Sequence, residues 1–293
     1  MTDDTIAVVT PTYRPHFELC RALNRSIHQF LPETMRHYIV VDRCDLQLFR
    51  QFNDSRTVVL TKEEILPKGF IHLRLPKKDR WIAPSRVVPI AGWLVQQIVK
   101  ISMAQYLSEL NLLLVDSDVV FVRNVDPAVF TRGGKTRLYT KRGGITENMT
   151  THIAWHRNCC ELLGISSEGM VIDDYVGEVV SWQKALVLQM CERVQSVTGR
   201  PWYDVVSRRL QFSEYLLYGL FVERIAGGKG VWVDERHRCL CCWKDTTLTA
   251  SDVKAFVNAL EDDDLALMIS SVSRTSKETR AAVVALATKG LVA

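Results

Sequence analysis

Asn111-Leu-Leu-Leu-Val-Asp-Ser-Asp-Val-Val-Phe121 is the stretch that decides the fold. Its apolar run, Asn111 to Val115, predicts a strand that is buried on both faces, as in a parallel sheet. The run ends abruptly at Asp116-Ser117-Asp118. Carboxylates at the carboxyl end of an interior strand lie where open α/β sheets bind ligands, so we expect a crevice there.

Upstream of this strand, apolar β-branched runs alternate with amphipathic stretches. This alternation is the βαβ pattern of an α/β fold with a mostly parallel sheet flanked by helices. The predicted strands are Ile6 to Thr10, Tyr38 to Val41 and Thr57 to Leu60, and the predicted helices are Phe17 to Phe30 and Gly92 to Leu107.

Downstream, the pattern predicts further elements on the same scaffold. They are helices over about Gly177 to Ser196 and Phe212 to Arg224, a strand at Gly230 to Val233, and a tail with helices at Ser251 to Glu261 and Ser276 to Lys289 around a strand at Leu265 to Ile269.

Composition excludes several classes of protein. With 47% hydrophobic and 24% charged residues among 293, the chain is globular, so disorder of the whole chain is excluded. A net charge of +4 is too small to suggest nonspecific nucleic-acid binding, which needs a concentrated basic stripe. We therefore expect no nucleic-acid partner.

The cysteines and the first residues indicate a cytoplasmic protein. Met1-Thr-Asp-Asp-Thr5 lacks the basic start and cleavage site of a secretory signal, and the eight cysteines are scattered, so we expect reduced thiols. Cys239 and Cys242 have a C-x-x-C spacing with His237 nearby. No second ligand pair follows, so buried or surface thiols are favoured over structural zinc.

Any membrane contact is expected to be peripheral, at the inner face of the cell membrane, because no run of 18 apolar residues occurs. Arg74, Lys77, Lys78 and Arg80 form the densest basic patch. This patch either lies against an anionic acceptor or membrane surface or is a solvated loop, and the second interpretation is favoured. The sequence leaves the oligomeric state open.

Two carboxylates at positions i and i+2 beyond a buried strand can converge on one hard cation. Mn²⁺ or Mg²⁺ held by Asp116 and Asp118 keeps coordination places for phosphate oxygens, which suits a diphosphate leaving group. The alternative for an isolated D-x-D is a pair of turn residues that merely ends the strand. The segments around it favour the metal.

Three further segments, in chain order, carry a resemblance. Thr10-Pro11-Thr12-Tyr13-Arg14 follows the first strand, Gln96-Gln97-x-x-Lys100 lies on the helix before Asn111, and Phe212-Ser-Glu-Tyr-Leu-Leu-Tyr-Gly219 comes later. Together with the D-x-D they resemble GT-A glycosyltransferases. The Ser-Glu-Tyr segment, with Tyr175, Gly177 and Trp182 upstream, is similar to a largely uncharacterised bacterial GT-A family. The resemblance spans roughly Ile6 to His237.

The resemblance implies a single GT-A (Rossmann-like) domain over residues 1–250. Its nucleotide-binding half would cover about 1–125 and its acceptor half about 126–250, with a C-terminal helical extension over 251–293 packed on the same domain. It further implies a metal-dependent transferase that moves a sugar from a UDP-, GDP- or CMP-type donor to a glycan or glycolipid hydroxyl. Bacterial surface polysaccharide synthesis is the implied setting.

The resemblance also implies roles for individual residues. Glu214 would be the general base of an inverting reaction, and His237 would join Asp116 and Asp118 around the metal. The residues expected to bind the nucleotide are Pro11, Thr12, Tyr13, Arg14, Asp42, Gln97, Lys100 and Ser117. Those expected to bind the acceptor are Asp173, Asp174, Trp182 and Tyr215.

Each role has a plainer alternative. Glu214 suits the N-terminus of a helix, where a carboxylate stabilises the dipole, and Ser213 suits the N-cap. Asp173 and Asp174 fit a solvated helix start equally well. Lys100 on a helix fits a surface residue as well as a phosphate ligand, and His237 also fits a surface or core histidine.

Three other functions compete with transfer. Haloacid-dehalogenase-like phosphatases also place Asp-x-Asp after an apolar strand, with a later acidic pair such as Asp173-Asp174 on Mg²⁺. Their motif lies near the N-terminus and is followed by Thr or Gly-Thr, whereas Val119-Val120-Phe121 follows here. A noncatalytic nucleotide-sugar-binding protein and a nucleotide-sugar hydrolase are the remaining alternatives.

Overall fold

The computed structural model describes residues 5–75, 78–84, 86, 88–169, 171–243 and 246–289. The strands within this part of the chain are, in order, β1 Ile6–Pro11, β2 Arg36–Val41, β3 Thr57–Thr61, β4 Ile71–Leu75, β5 Lys78–Ile82, β6 Ile90–Ala91, β7 Asn111–Val115, β8 Val119–Phe121, β9 Thr131–Arg132, β10 Lys135–Tyr139, β11 Val179–Gln183, β12 Val231–Asp234, β13 Cys239–Cys242 and β14 Ala266–Ile269.

The α-helices connect these strands and cover the sheet. They are α1 Phe17–Phe30, α2 Leu46–Phe49, α3 Lys62–Ile65, α4 Gly92–Tyr106, α5 Thr150–Leu163, α6 Lys184–Thr198, α7 Trp202–Ser207, α8 Glu214–Arg224, α9 Val253–Asn258 and α10 Lys277–Lys289. The predicted bounds of α1 are confirmed, and those of α4 differ by one residue.

The central sheet has five strands in the order β11-β7-β1-β2-β3. β7, β1, β2 and β3 are mutually parallel, and β11 runs antiparallel to β7 at one edge. The predicted α/β class, a mostly parallel sheet flanked by helices, is confirmed. Because β7 lies between β1 and β11, the carboxylates after Val115 come at the end of an interior strand.

Both faces of the central sheet are buried because side chains of a strand alternate between them. Ala7, Val9, Leu112 and Leu114 face a core that is shared with α4, α5, α6 and α8. Ile6, Val8, Leu113 and Val115 face a second core that contains α1, β8 and β14. Continuous apolar runs in β1 and β7 follow from this double coverage.

Residues 177–196 were expected to form one helix, and that prediction is wrong. The chain forms β11 first and turns directly into α6 at Lys184. Val179 and Val180 are β-branched, and they pair with Val115 and Leu114 of β7. The ladder on β7 therefore outweighs the helical periodicity, which belongs only to the second part of the segment.

The tail is more than a helical extension. β14 pairs with β8 on one side and with β13 on the other, so the strand after residue 250 completes a three-stranded sheet. This small sheet directly follows the D-x-D in the chain, because β8 starts at Val119. The tail is thereby brought to the end of β7.

α8 is held against the core by a close contact at a glycine. A Cβ on Gly219 would lie 2.2 Å from the ring of Tyr175, so no larger residue fits without movement of that ring. The contact explains a helix-interior glycine, which otherwise costs about 1 kcal/mol relative to alanine. The contact also fixes how closely α8 packs on Tyr175, and hence the position of Glu214 in the first turn of α8.

Among the described residues, none of the helices is long and apolar enough to cross a bilayer. The basic patch that was predicted from Arg74, Lys77, Lys78 and Arg80 lies largely outside the described side chains.

Candidate active site

The candidate site lies at the carboxyl edge of the central sheet, where three connecting segments meet. Residues 12–14 follow β1, Asp42 follows β2, and residues 116–118 follow β7. Since these strands are parallel neighbours, their carboxyl ends lie side by side, which is where α/β sheets bind ligands. The structure brings the predicted segments to one edge.

Lys100 is the centre of a buried polar cluster at this edge. Its Nζ lies 3.0 Å from Oδ1 of Asp116 and 3.1 Å from Oε1 of Glu214. The same ammonium donates to the hydroxyl of Tyr215 at 2.9 Å. Lys100 and Glu214 are each only 4% exposed, whereas the side chain of Asp116 is 52% exposed. One carboxylate therefore faces the open edge and the other lies beneath the lysine.

Burial by itself would lower the pKa of the Lys100 ammonium, but Asp116, Tyr215 and Glu214 together raise it well above its ordinary value. Burial raises the pKa of the Glu214 carboxyl, and Lys100 opposes that rise. Lys100 therefore stays charged at neutral pH. It acts as a fixed cation that holds Asp116, and its charge is not free for a phosphate.

Glu214 begins α8, and two hydrogen bonds set its place. Ser213 is the N-cap, as predicted, and its Oγ accepts from Leu216 N at 3.4 Å. The backbone N–H of Glu214 donates to Oε1 of Gln97 at 3.1 Å. Gln97 on α4 therefore satisfies the start of α8 and is 2% exposed, so it supports the site from beneath.

Asp118 points away from the lysine, toward the tail. Its Oδ2 accepts from Ser271 N at 2.7 Å, just after β14. Burial raises the pKa of Asp118 to about 6, and the nearby Asp116 charge adds to the rise. The two carboxylates thus repel each other, and a cation between them would relieve that repulsion.

Two basic side chains that the sequence analysis did not select lie close to the D-x-D segment. The ring of His16 has its Nδ1 3.3 Å from the hydroxyl of Ser117. Burial lowers the pKa of His16 below its ordinary value, Asp116 opposes this, and Arg280 reinforces it. Arg280 on α10 donates to the carbonyl oxygens of Ile269 and Ser270, which fixes it over the end of β14.

The residues expected to bind the nucleotide beside β1 and β2 are partly engaged within the protein. Arg14 pairs with Asp45 at 3.0 Å but is 61% exposed, so it is accessible from the edge. Asp42 is 3% exposed and its Oδ2 lies 3.1 Å from Nζ of Lys62, which makes it part of a buried ion pair. Pro11 and Thr12 are buried, and Tyr13 packs on His16 with ring centroids 4.5 Å apart.

The residues expected to bind the acceptor do not form one group. Asp173 accepts from Arg142 and from Gly143 N at 2.7 and 2.8 Å, and Asp174 accepts from Val176 N at 3.0 Å. Trp182 is fully buried and stacks on Tyr218 at 5.0 Å. Tyr215 is the exception, because its hydroxyl belongs to the Lys100 cluster.

His237 joins a different set of side chains from the predicted one. Its Nε2 lies 2.6 Å from Oε2 of Glu178, and Cys241 is the third member of the group. Among the described residues, Glu178, His237 and Cys241 form the group of three potential metal ligands whose ligand atoms lie close together. This group does not include Asp116 or Asp118.

A cavity of about 480 Å³ opens beside Asp118, between α1 and α10. This volume is in the range of small-ligand sites. Its walls are mainly apolar, and its charged lining is mainly basic, with Arg21, Arg25, Lys277 and Arg280. An anionic group with an apolar portion matches that lining.

The residues around the D-x-D fit a hard divalent cation. Asp116 and Asp118 offer carboxylate oxygens within electrostatic range of each other. Asp116 is half exposed, so a cation can reach it. Mn²⁺ and Mg²⁺ prefer oxygen donors and need only one or two carboxylates when a substrate supplies phosphate oxygens.

Together, the fold and the candidate site define an α/β protein with acidic side chains at the carboxyl ends of its parallel strands. The chain belongs to the family of unknown function DUF6492, whose model matches residues 5–270. A search of curated proteins found no match. Among solved structures, the apo crystal structure of mouse xyloside xylosyltransferase 1 is similar, with a TM-score of 0.48 and 11% identity over 90% of this chain and 97% of that one.

Sequence reasoning missed His16, Glu178, Ser271 and Arg280. His16 lies two residues beyond the selected loop, so extending that loop would have included it. Glu178 immediately precedes β11, and the mistaken helix over 177–196 hid its place opposite the end of β7. Ser271 and Arg280 carry no motif, since only the pairing of β14 with β8 brings them to Asp118.

We predict that Lys100→Met lowers the free energy of unfolding by about 3–5 kcal/mol, because it leaves the Glu214 carboxylate buried without its counter-ion. The double variant Lys100→Met/Glu214→Leu should recover much of this loss, since it removes both charges. Urea unfolding followed by circular dichroism measures both, with the exposed Lys135→Met as control. Equal losses in the single and double variants would contradict the ion pair.

We predict that the affinity for Mn²⁺ falls by roughly tenfold per pH unit below pH 6, because protonated Asp118 must lose its proton before it binds metal. Above pH 6 the carboxylate is charged and the affinity should level off. Asp118→Asn should bind more weakly and without this slope. Calorimetric titrations between pH 5 and 7.5 provide the test, and a flat profile for the unaltered chain would rule out the role of Asp118.

Proposed function

We propose that this protein is a metal-dependent glycosyltransferase of the GT-A type that uses a nucleotide-sugar donor. The observation that carries the proposal is the pair Asp116 and Asp118 at the end of an interior parallel strand. One carboxylate is half exposed, and the other has its pKa raised to about 6. Such a pair suits a cation that neutralises a leaving diphosphate.

In this proposal the chain supplies a rigid frame for that cation. Asp116 and Asp118 hold Mn²⁺ or Mg²⁺, which when bound offsets the negative charge that develops on the diphosphate. Lys100 fixes the Asp116 carboxylate from beneath, and Ser271 N fixes that of Asp118. Preorganised charges of this kind lower the cost of reorganisation during the reaction.

Donor phosphates would meet the basic groups around the edge. Arg14 is exposed after β1, which neighbours β7, and the Arg280 guanidinium adds positive charge near Asp118. Arg offers paired N–H donors that match phosphate oxygens. A donor of the UDP, GDP or CMP type fits this arrangement, with Tyr13 and His16 as aromatic neighbours.

We assign Glu214 a positioning role in preference to the general-base role. Its carboxyl is 5% exposed and lies 3.1 Å from the Lys100 ammonium, so contact with an acceptor hydroxyl would require Lys100 to move aside. Held as it is, Glu214 orients Lys100 and through it Asp116. Glu214 then does not identify the general base. It also does not decide between inversion and retention of configuration.

The cavity between α1 and α10 supports a glycan or glycolipid acceptor. It reaches Asp118 and combines apolar walls with a basic rim, which suits an amphipathic molecule that carries an anionic group. A glycolipid acceptor would place the protein at the inner face of the cell membrane, in surface polysaccharide synthesis.

Features of the acidic pair Asp173 and Asp174 favour transfer over a haloacid-dehalogenase-like phosphatase. In that alternative this pair must share the metal with the D-x-D. Here Asp173 binds Arg142, and the backbone of Asp174 pairs with that of Lys141. The pair is thus committed to other partners.

A thermal-shift panel of UDP, GDP, CMP and their sugars, with and without Mn²⁺, tests the proposal. One nucleotide at 100 times its dissociation constant should stabilise the chain by about 2.7 kcal/mol, and only with metal. Asp116→Ala/Asp118→Ala should lose this response, whereas Asp262→Ala, an exposed carboxylate, should keep it. Analysis of the products formed from the stabilising donor then separates transfer from hydrolysis. The absence of thermal stabilisation by any nucleotide would contradict both activities.

A second prediction concerns Glu214. If it positions Lys100, Glu214→Gln should lower turnover by less than the about 10²–10⁴-fold loss typical of a missing general base, and the pH profile should keep its shape. Rates measured from pH 5.5 to 9 decide this, with the exposed Glu192→Gln on α6 as control. A loss of more than about 10²-fold together with a vanished acidic limb would restore the general-base role.

A further inference from the structure

The group formed by Glu178, His237 and Cys241 lies outside the D-x-D pair, and its side chains need an explanation of their own. Glu178 immediately precedes β11, His237 lies in the connection between β12 and β13, and Cys241 is on β13. Three separate segments thus converge. One potential ligand atom from each lies within 4.8 Å of the others.

The hydrogen bond on one side of the His237 ring determines the chemistry of the other side. Nδ1 lies 2.8 Å from the carbonyl oxygen of Cys239, and a carbonyl can only accept, so Nδ1 carries a proton. In a neutral ring Nε2 then has no proton and carries a lone pair. Metal-binding histidines use this arrangement, with one nitrogen donating to a carbonyl and the other on the metal.

Nε2 of His237 and a carboxylate oxygen of Glu178 face each other. Oε2 of Glu178 is 2.6 Å from Nε2, and the Glu178 side chain is only 9% exposed. Two acceptors in such proximity need a positive charge between or beside them. In the chain without a metal, a proton on Nε2 makes this contact an ion pair. A divalent cation that replaces this proton would take both atoms as ligands.

The thiol of Cys241 selects the kind of cation. Its Sγ lies 3.9 Å from Nδ1 of His237 and 3.4 Å from the carbonyl oxygen of Cys239, so it sits against the ring. Thiolate and imidazole ligands favour zinc, whereas Mg²⁺ and Mn²⁺ prefer oxygen donors alone. Zinc binds sulfur, nitrogen and oxygen at about 2.0–2.3 Å, so small side-chain adjustments bring all three ligands onto one ion.

The backbone next to His237 holds the ring in place. Arg238 has a φ of 71°, the left-handed conformation, and within the described residues no other non-glycine residue has a positive φ. Its side chain binds Asp234 at 3.1 Å, which anchors the turn. A strained residue beside a potential ligand is a common feature of functional sites.

We propose that Glu178, His237 and Cys241 bind one zinc ion, separately from the cation at Asp116 and Asp118. Three protein ligands leave a fourth position for water or a substrate group. Val179 pairs with Val115, so Glu178 lies at the same sheet edge as Asp116. The ion would tie β13 and the turn at Arg238 to that edge. This proposal does not depend on the glycosyltransferase assignment.

The test is metal binding by the full-length chain after removal of metals with a chelator. Competition with a chromophoric chelator should show one zinc per chain, and Co²⁺ should give a thiolate-to-cobalt charge-transfer band in the near ultraviolet. Cys241→Ser should abolish the band and weaken zinc binding at least about tenfold. The isosteric Glu178→Gln should weaken zinc binding by a similar factor. The controls Cys44→Ser and His152→Ala should leave both unchanged.

Two further outcomes separate the proposals. Asp116→Ala/Asp118→Ala should keep the cobalt band and the zinc affinity, because those residues belong to the other site. Circular dichroism confirms that each variant is folded. A folded chain that binds less than about one zinc, or a Cys241→Ser variant with unchanged affinity and band, would overturn the zinc site and would leave the glycosyltransferase assignment untouched.

Discussion

The buried ammonium of Lys100 is the interaction on which the site depends. It joins α4, α8 and the end of β7 through Glu214, Tyr215 and Asp116. A buried carboxylate is costly without a counter-ion, so Glu214 and Lys100 must be placed together. Asp116 gains a fixed position from this pair while half of its surface remains open to ligands. The arrangement turns a helix packing contact into a constraint on the metal site.

The turn after β7 supplies the second constraint, because the chain leaves the strand after Val115 and Val119 N donates back to the carbonyl oxygen of Asp116. Asp116 reaches the α4 side and meets Lys100, whereas Asp118 meets Ser271 and lies near Arg280 on the side of β14 and α10. The two carboxylates are therefore held by different layers of the fold. β8 follows Asp118 at once and pairs with β14, so the tail of the chain is a wall of the same site.

Much of the fold could be predicted from sequence because its signals are local. The apolar run before Asp116 and the helical spacing from Phe17 to Phe30 are sufficient for β7 and α1. Pairing over long distances leaves no such signal: Lys100 and Tyr215 are 115 positions apart. The same holds for β11, whose strand form depends on β7, and for His237, whose partner Glu178 was hidden by the mistaken helix. Spacing identifies candidate residues, and tertiary contacts decide their partners.

The central claim is that Asp116 and Asp118 hold a divalent cation for a nucleotide diphosphate. Electron paramagnetic resonance of Mn²⁺ tests it directly, since the signal of the free ion falls when the ion binds. We expect one site on the chain that tightens when the matching nucleoside diphosphate is added, and we expect Asp116→Ala/Asp118→Ala to lose it while Cys241→Ser keeps it. Unchanged Mn²⁺ binding in the folded double variant, with or without nucleotide, would contradict the account.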